Sequence, residues 1–131
     1  MLIVFDVDDF KNVNDQYGHL KGDICLSEIA DCIKKAYAKF GYCYRIGGDE
    51  FCVLMKNVDQ QEKCLKKFIE LLEEKRSRLD FLPTVSFGSC VFSGEDILTI
   101  KDRADQNMYR FKKGRKENDE HGQKAKNTYC R

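Results

Sequence analysis

The sequence predicts an α/β sandwich of the α+β kind, with a central, mostly antiparallel sheet flanked by helices. Three observations carry this. The chain opens on a short β-branched apolar run, "LIVFD". Two strand-like runs, "YCYRI" and "FCVLM", flank the turn "GGDE". Between and after these runs the hydrophobic period changes to that of a helix. Hairpin strands interleaved with helices are the pattern of a sheet that buries its faces under helices.

Taken in order, Leu2 to Asp6 reads as a buried strand, because a short unbroken apolar run has no solvent-facing side. The polar stretch "DDFKNVNDQYGH" suits a short helix and then a turn at Gly18. From Leu20 to Phe40 the period is helical, with Leu26, Ile29, Ala30, Ile33 and Tyr37 on one face and Gly41 as a stop signal. A glycine pair between two β-rich runs predicts a hairpin around Gly47 and Gly48. A second amphipathic helix is predicted over Gln60 to Arg78, through Leu65, Phe68, Ile69 and Leu72. The single proline, Pro83, precedes "TVSFGSCVF", a strand with a bulge expected at Gly88. A last helix is predicted over Ile97 to Lys113, through Ile100, Ala104, Met108 and Phe111. After Gly114 the chain turns polar and charged, so residues 1–115 read as one domain and 116–131 as a flexible polar tail.

Composition bounds the function. The 131 residues are 42% hydrophobic and 34% charged, which fits one globular domain with its own core. A net charge of +1 leaves no global footprint for nucleic acid. No apolar run approaches the roughly 18 residues of a membrane span. The start "MLIVFD" lacks the basic leader of a signal peptide, so the expected location is cytoplasmic. Seven cysteines are many for this length. Their odd number and the absence of a CxxC favour reduced, buried thiols; a disulfide framework and a zinc site are the competing readings.

The acidic residues carry the chemistry. Asp6 ends the first strand, followed by Asp8 and Asp9, while Asp49 and Glu50 sit on the hairpin tip. If the hairpin pairs beside the first strand, both clusters converge. Uncompensated carboxylates at one sheet edge repel, and hard oxygen ligands favour Mg²⁺ or Mn²⁺. Each piece has a plain reading as well. "GGDE" alone is a surface turn, and Asp8 and Asp9 alone are acids at a helix N-terminus. "DVDDFKNVNDQY" fails as an EF-hand loop. Phe10 and Lys11 stand where a ligand and the obligatory glycine belong, and Tyr17 where the glutamate belongs.

"RIGGDEF" (Arg45 to Phe51) resembles the signature of the GGDEF domain of diguanylate cyclases. "FDVDDFKNVNDQYGHLKGD" is similar to that family's segment D-x-D-x-F-K-x-x-N-D-x-x-G-H-x-x-G-D, "VSFGSCVF" to its late strand, and "ADQNMYRFKKGRK" to its last helix. These segments occur in the family's order across nearly the whole chain. The resemblance implies a fold like the palm of nucleotide polymerases and cyclases, with the signature on a β-hairpin. It also implies a reaction in which two GTP molecules become cyclic di-GMP and two pyrophosphates.

By position, the resemblance implies that Asp6, Asp49 and Glu50, with the Val7 carbonyl, hold Mg²⁺ or Mn²⁺, two ions per site with GTP. Asp49 or Glu50 serves as the catalytic group that takes a proton from the attacking hydroxyl. Gly47 and Gly48 let the chain turn tightly and the nucleotide approach. Phe10 and Lys11 open a helix facing the β- and γ-phosphates. Lys112 and Arg115 form a second phosphate clamp, and Arg45 is a further candidate beside phosphates or carboxylates. Asn14 and Asp23 stand where the family reads guanine, and Asp23 argues against the branch that makes mixed cyclic dinucleotides. The plain readings are a turn residue for Asn14, a helix acid for Asp23 and a solvated face for Lys112. His19 matches the motif and is given a structural role, whereas His121 is read as solvated. The implied partners are GTP, a second protomer facing the first, and a sensory or regulatory domain elsewhere in the parent protein. No nucleic acid and no membrane segment in this chain are expected, and membrane anchoring of the parent protein is left open.

Three departures stand out. The family's inhibitory R-x-x-D site falls on "AKFG", where Ala38 and Gly41 replace both charges, so no product inhibition through it is expected. The helix and loop with D-x-L-T-x-L-x-N-R that usually precede the first strand are missing, which puts full activity in question. The spacing from Tyr109 to Gly114 is one residue short. The competing function is a GTP-binding regulatory module with little turnover that tunes a partner such as a phosphodiesterase domain. Another palm-fold nucleotidyl transferase is opposed by Asn14 and Asp23, and a DNA-binding module by the lack of a basic stripe.

Overall fold

The computed structural model describes the backbone of residues 1–120 and 129–130 and the side chains of residues 1–114. Its elements are β1 (Leu2–Val7), α1 (Phe10–Tyr17), α2 (His19–Tyr37), β2 (Gly41–Arg45), β3 (Glu50–Met55), a 3-10 turn (Val58–Gln60), α3 (Gln61–Arg78), β4 (Val85–Cys90), α4 (Ile97–Glu120) and β5 (Tyr129–Cys130). The sheet order is β2-β3-β1-β4-β5. The first four strands pair antiparallel, and the short β5 joins β4 in parallel. The α+β sandwich with the signature on a hairpin is therefore the observed fold.

β1 lies in the middle and is covered on both faces, which is why its sequence shows no polar alternation. Ile3, Phe5 and Val7 join the core under α2 and α3. Leu2 and Val4 meet Ile100 and Ala104 of α4 on the other face. Phe5 is the hub, with ring centroids 5.7 Å from Tyr37, 5.1 Å from Phe68 and 6.4 Å from Phe87. Helices α2 and α3 are further tied by the buried Lys75, whose Nζ donates to Glu28 Oε2 at 2.5 Å and Asp31 Oδ2 at 2.7 Å. Cys25, Cys32, Cys52 and Cys64 are buried free thiols, Cys43 is half-buried and free, and Cys90 is buried. Burial raises the pKa of the Cys25, Cys32, Cys43, Cys52 and Cys64 thiols. Among the described residues no helix is long and apolar enough to cross a membrane.

Four expectations need correction. Helix α2 ends at Tyr37, and Gly41 opens β2 rather than stopping the helix. A Cβ at Gly41 would meet the Leu54 carbonyl oxygen at 2.5 Å, so the glycine serves strand packing. Gly88 makes no bulge: β4 keeps register with β1, Gly88 facing Val4. A Cβ there would lie 2.2 Å from the Met108 nitrogen and 2.5 Å from the Ala104 carbonyl oxygen, so glycine lets α4 lie against the strand. Ile69 is 40% exposed, at the rim of the stripe made by Leu65, Phe68 and Leu72. Finally, α4 continues to Glu120, because the Lys- and Glu-rich stretch after Gly114 is good helix-forming sequence. Residues 121–128 and 131 of the expected tail, His121 included, lie outside the described residues.

Candidate functional site

The site grows from strand register. In the β1–β3 ladder Asp6 stands opposite Glu50, and in the β1–β4 ladder it stands opposite Ser86. The Val7 N–H donates to the Asp49 carbonyl at 3.0 Å, which fastens the hairpin tip to the end of β1. The two acidic clusters therefore converge at one end of the sheet. Burial pushes the Asp6 carboxyl above its ordinary pKa. The Lys112 ammonium, hydrogen-bonded to it, pulls the value back, while the charges of Asp49 and Asp8 raise it further.

Helix α4 supplies both counter-charges. Lys112 Nζ donates to Asp6 Oδ2. Lys101 Nζ donates to Glu50 Oε1 at 3.0 Å and to Asp105 Oδ2 at 2.7 Å. Arg45 folds back on its own hairpin instead of reaching the carboxylates, its Nε donating to the Gly47 carbonyl at 3.1 Å and its Nη2 to the Gly48 carbonyl at 2.7 Å. Neither glycine has a positive φ, so the turn itself does not require them. What they provide is room: a Cβ at Gly48 would meet nothing within 4 Å, and one at Gly47 only the Glu50 Cβ at 3.6 Å.

The other wall is α1 and the start of α2. Asp9 precedes α1 in a left-handed conformation (φ 51°), one that aspartate tolerates better than most residues. Asp9 makes no side-chain cap and the first turn of α1 carries no acid, and a helix N-terminus of this kind suits an anion. The reading of Asp8 as a helix N-terminal acid is corrected. Its carboxylate accepts hydrogen bonds from Thr84 Oγ1 at 2.7 Å and Ser86 Oγ at 2.6 Å. Lys11 and Asp23 are exposed, as is His19 at the start of α2, while Phe10 and Asn14 are half-buried. Gly18, at φ 90°, makes the sharp turn between α1 and α2 that suits glycine. Asn14 Oδ1 lies 1.9 Å from where a Cβ on Gly22 would be, so the asparagine is set against α2 beside Asp23.

The structure thus gathers Asp6, Val7, Asp49, Glu50 and Lys112 at one sheet end, and sets Phe10 and Asn14 together against α2. It turns Arg45 away, and the side chain of Arg115 lies outside the described residues. Sequence reasoning missed Thr84 and Ser86, although their period-two spacing in "TVSFGS" marks a polar face. It also missed Lys101 and Asp105, which only tertiary packing brings to Glu50. The donors suit a hard cation. Among the described residues no three ligating side chains form a ready metal cluster. Two carboxylates from adjacent strands fit Mg²⁺ when phosphate oxygens complete the shell.

The family model "Diguanylate cyclase, GGDEF domain" matches residues 1–118. The chain is 35% identical over 118 residues to diguanylate cyclase A of Treponema denticola, covering 85% of this chain and 32% of that protein. It is 34% identical over 124 residues to diguanylate cyclase DgcP of Pseudomonas aeruginosa, covering 86% of this chain and 18% of that protein. It therefore spans about a third or less of these relatives. Among solved structures, the GGDEF domain of DgcB from Caulobacter crescentus in complex with c-di-GMP superposes with a TM-score of 0.72 at 27% identity, over 98% of this chain and 75% of that one. An EAL/GGDEF domain protein from M. capsulatus superposes with a TM-score of 0.74 at 27% identity, over 99% of this chain and 83% of that one.

Proposed function

The chain belongs to the GGDEF domain family, and from that premise we propose that it condenses two GTP molecules into cyclic di-GMP, as two copies facing each other. The observation that carries the reading is the Asp6–Glu50 pairing across β1 and β3, with Asp49 fastened to the same strand end. Asp6, Asp49, Glu50 and the Val7 carbonyl would hold Mg²⁺ or Mn²⁺, two per site with GTP. The chemistry supplied there is charge neutralisation at the α-phosphate and a more acidic 3′-hydroxyl.

The chain's own groups do the rest. The α1 N–H groups and Lys11 bind the β- and γ-phosphates. Lys112 passes from Asp6 to a phosphate oxygen. Asn14 and Asp23 read guanine, where a carboxylate accepts from N1–H and N2–H; adenine lacks that donor pair. Asp49 or Glu50 accepts the proton from the 3′-hydroxyl as its oxygen attacks the partner nucleotide's α-phosphorus. Each attack forms one phosphodiester bond and releases one pyrophosphate, and two attacks close the ring. In the parent protein a sensory or regulatory domain would set how often two copies meet.

One observation favours a second reading, a GTP-binding regulatory module with little turnover. Asp6 and Glu50 each already carry a lysine counter-charge. The two readings part on the double variant Asp49→Ala/Glu50→Ala in a dimerised protein. The enzyme reading expects a wild type that turns over and a folded variant that does not. A wild type that binds GTP and makes no product favours the module.

A further inference from the structure

We infer that Lys101 is a resident counter-cation for Glu50 which a divalent metal must displace, and that Asp105 is the acceptor to which it withdraws. The inference rests on Glu50 being a metal ligand, as proposed above. Lys101 Nζ sits between two carboxylates, 3.0 Å from Glu50 Oε1 and 2.7 Å from Asp105 Oδ2. Lys101 and Asp105 are one helical turn apart on α4, whereas Glu50 reaches the lysine from β3. The Lys101–Asp105 contact therefore persists when Glu50 turns to another cation.

An independent feature marks Asp105 as the receiving side. Its Oδ1 is buried and is without a hydrogen-bond partner among the described residues. A buried carboxylate oxygen with no donor is costly. An ammonium has three N–H groups, and Glu50 and Asp105 Oδ2 take two of them. While Glu50 holds it, the ammonium stays on Oδ2 and its remaining N–H does not reach Oδ1; once Glu50 leaves, the ammonium can shift onto both oxygens of Asp105, so the exchange satisfies an acceptor that the metal-free state leaves open. Lys101 is a positioning residue in this scheme and does not touch substrate. Lys112 of α4 donates to Asp6, and among the described residues it is paired with no second acid.

The test is Mn²⁺ binding to the whole chain, without nucleotide and with GTP, followed by calorimetry and by the electron paramagnetic resonance signal of free Mn²⁺. Lys101→Met should tighten Mn²⁺ by about fivefold, the scale of a partly exposed ion pair. Lys101→Arg, which keeps the charge, should stay near wild type. Asp105→Asn removes the receiving acid and should weaken Mn²⁺ by a similar factor, but only while Lys101 is present. In the Lys101→Met background it should have no effect, giving a non-additive cycle. Unchanged affinity in Lys101→Met overturns the inference and leaves the metal reading standing. Strict additivity also overturns it, because simple charge removal then explains both variants. If wild type and Lys101→Met both fail to bind Mn²⁺, with GTP present, the metal reading falls and takes the inference with it.

Discussion

Asp6 stands directly across from Glu50 in the antiparallel β1–β3 ladder. Two carboxylates from different parts of the chain are thus fixed by backbone pairing rather than by loop geometry. Burial already works against a charge on Asp6, so its retention there needs a cationic neighbour. Asp6→Asn is expected to lower cyclic di-GMP formation about a hundredfold or more, the scale lost with a key electrostatic group. The melting temperature should stay near wild type. Retained turnover in a folded Asp6→Asn protein would sink the assigned role.

Two glycine substitutions should separate packing from access. Gly88→Ala drives a methyl into the α4 backbone, which cannot give way like a side chain. A loss of about 2–3 kcal/mol in denaturant unfolding is expected. Gly48→Ala meets nothing within 4 Å, so stability should hold while GTP affinity falls. Equal stability losses in both would show that Gly48 is structural.

The Lys75 bridge gives a pH signature. Hydrogen bonds from Lys75 and then Lys35 hold the Asp31 carboxyl below its usual value. A carboxylate with a depressed folded pKa contributes stability that is complete above its unfolded value of about 3.9 and is lost as pH falls through the folded one. The hydrogen bonds to Asp31 and Glu28 outweigh desolvation, the largest single influence on Lys75, and raise its pKa. Its contribution is complete below about 10.4 and is lost as pH rises through the folded value. Lys75→Met should cost about 1–2 kcal/mol at pH 7, with the gap to wild type narrowing below about pH 4. A gap that stays constant into acid would show that the bridge contributes through packing alone.

Product inhibition through the corner before β2 should be absent. By its resemblance to the family, the chain is expected to carry Ala38 and Gly41 in place of that site's two charges. The cleft of about 280 Å³ that they line also holds Lys39, Tyr42 and Lys56, with no acid among its lining residues. Turnover should be unaffected by micromolar added cyclic di-GMP. Strong inhibition at that concentration, abolished by changing Lys39 or Lys56, would show a replacement site.

The fold was legible because hydrophobic period and glycine placement are local signals. The run from Leu2 to Phe5, the stripe through Leu26, Ile29 and Ile33, and the hairpin around Gly47 all reappear as buried strand, helix face and turn. Gly88 was misread because a glycine in a strand looks the same whether it makes a bulge or admits a helix. Only the position of Met108 decides between them. The carboxylates of the site were visible as motifs. Their partners Thr84, Ser86, Lys101 and Asp105 were not, since they reach the site through pairing and packing 50 or more residues away from Asp8 and Glu50. Arg45 was visible beside the motif, but its bonds to the Gly47 and Gly48 carbonyls of its own turn follow only from the hairpin's geometry.

The most direct test is to fuse the chain to a constitutive dimeriser, supply GTP and Mg²⁺, and separate the nucleotides by chromatography. Cyclic di-GMP and pyrophosphate in a one-to-two ratio are expected. Both should be lost on chelation and absent when ATP replaces GTP. A dimeric protein that binds GTP with Mg²⁺ and yields no cyclic di-GMP would contradict the account.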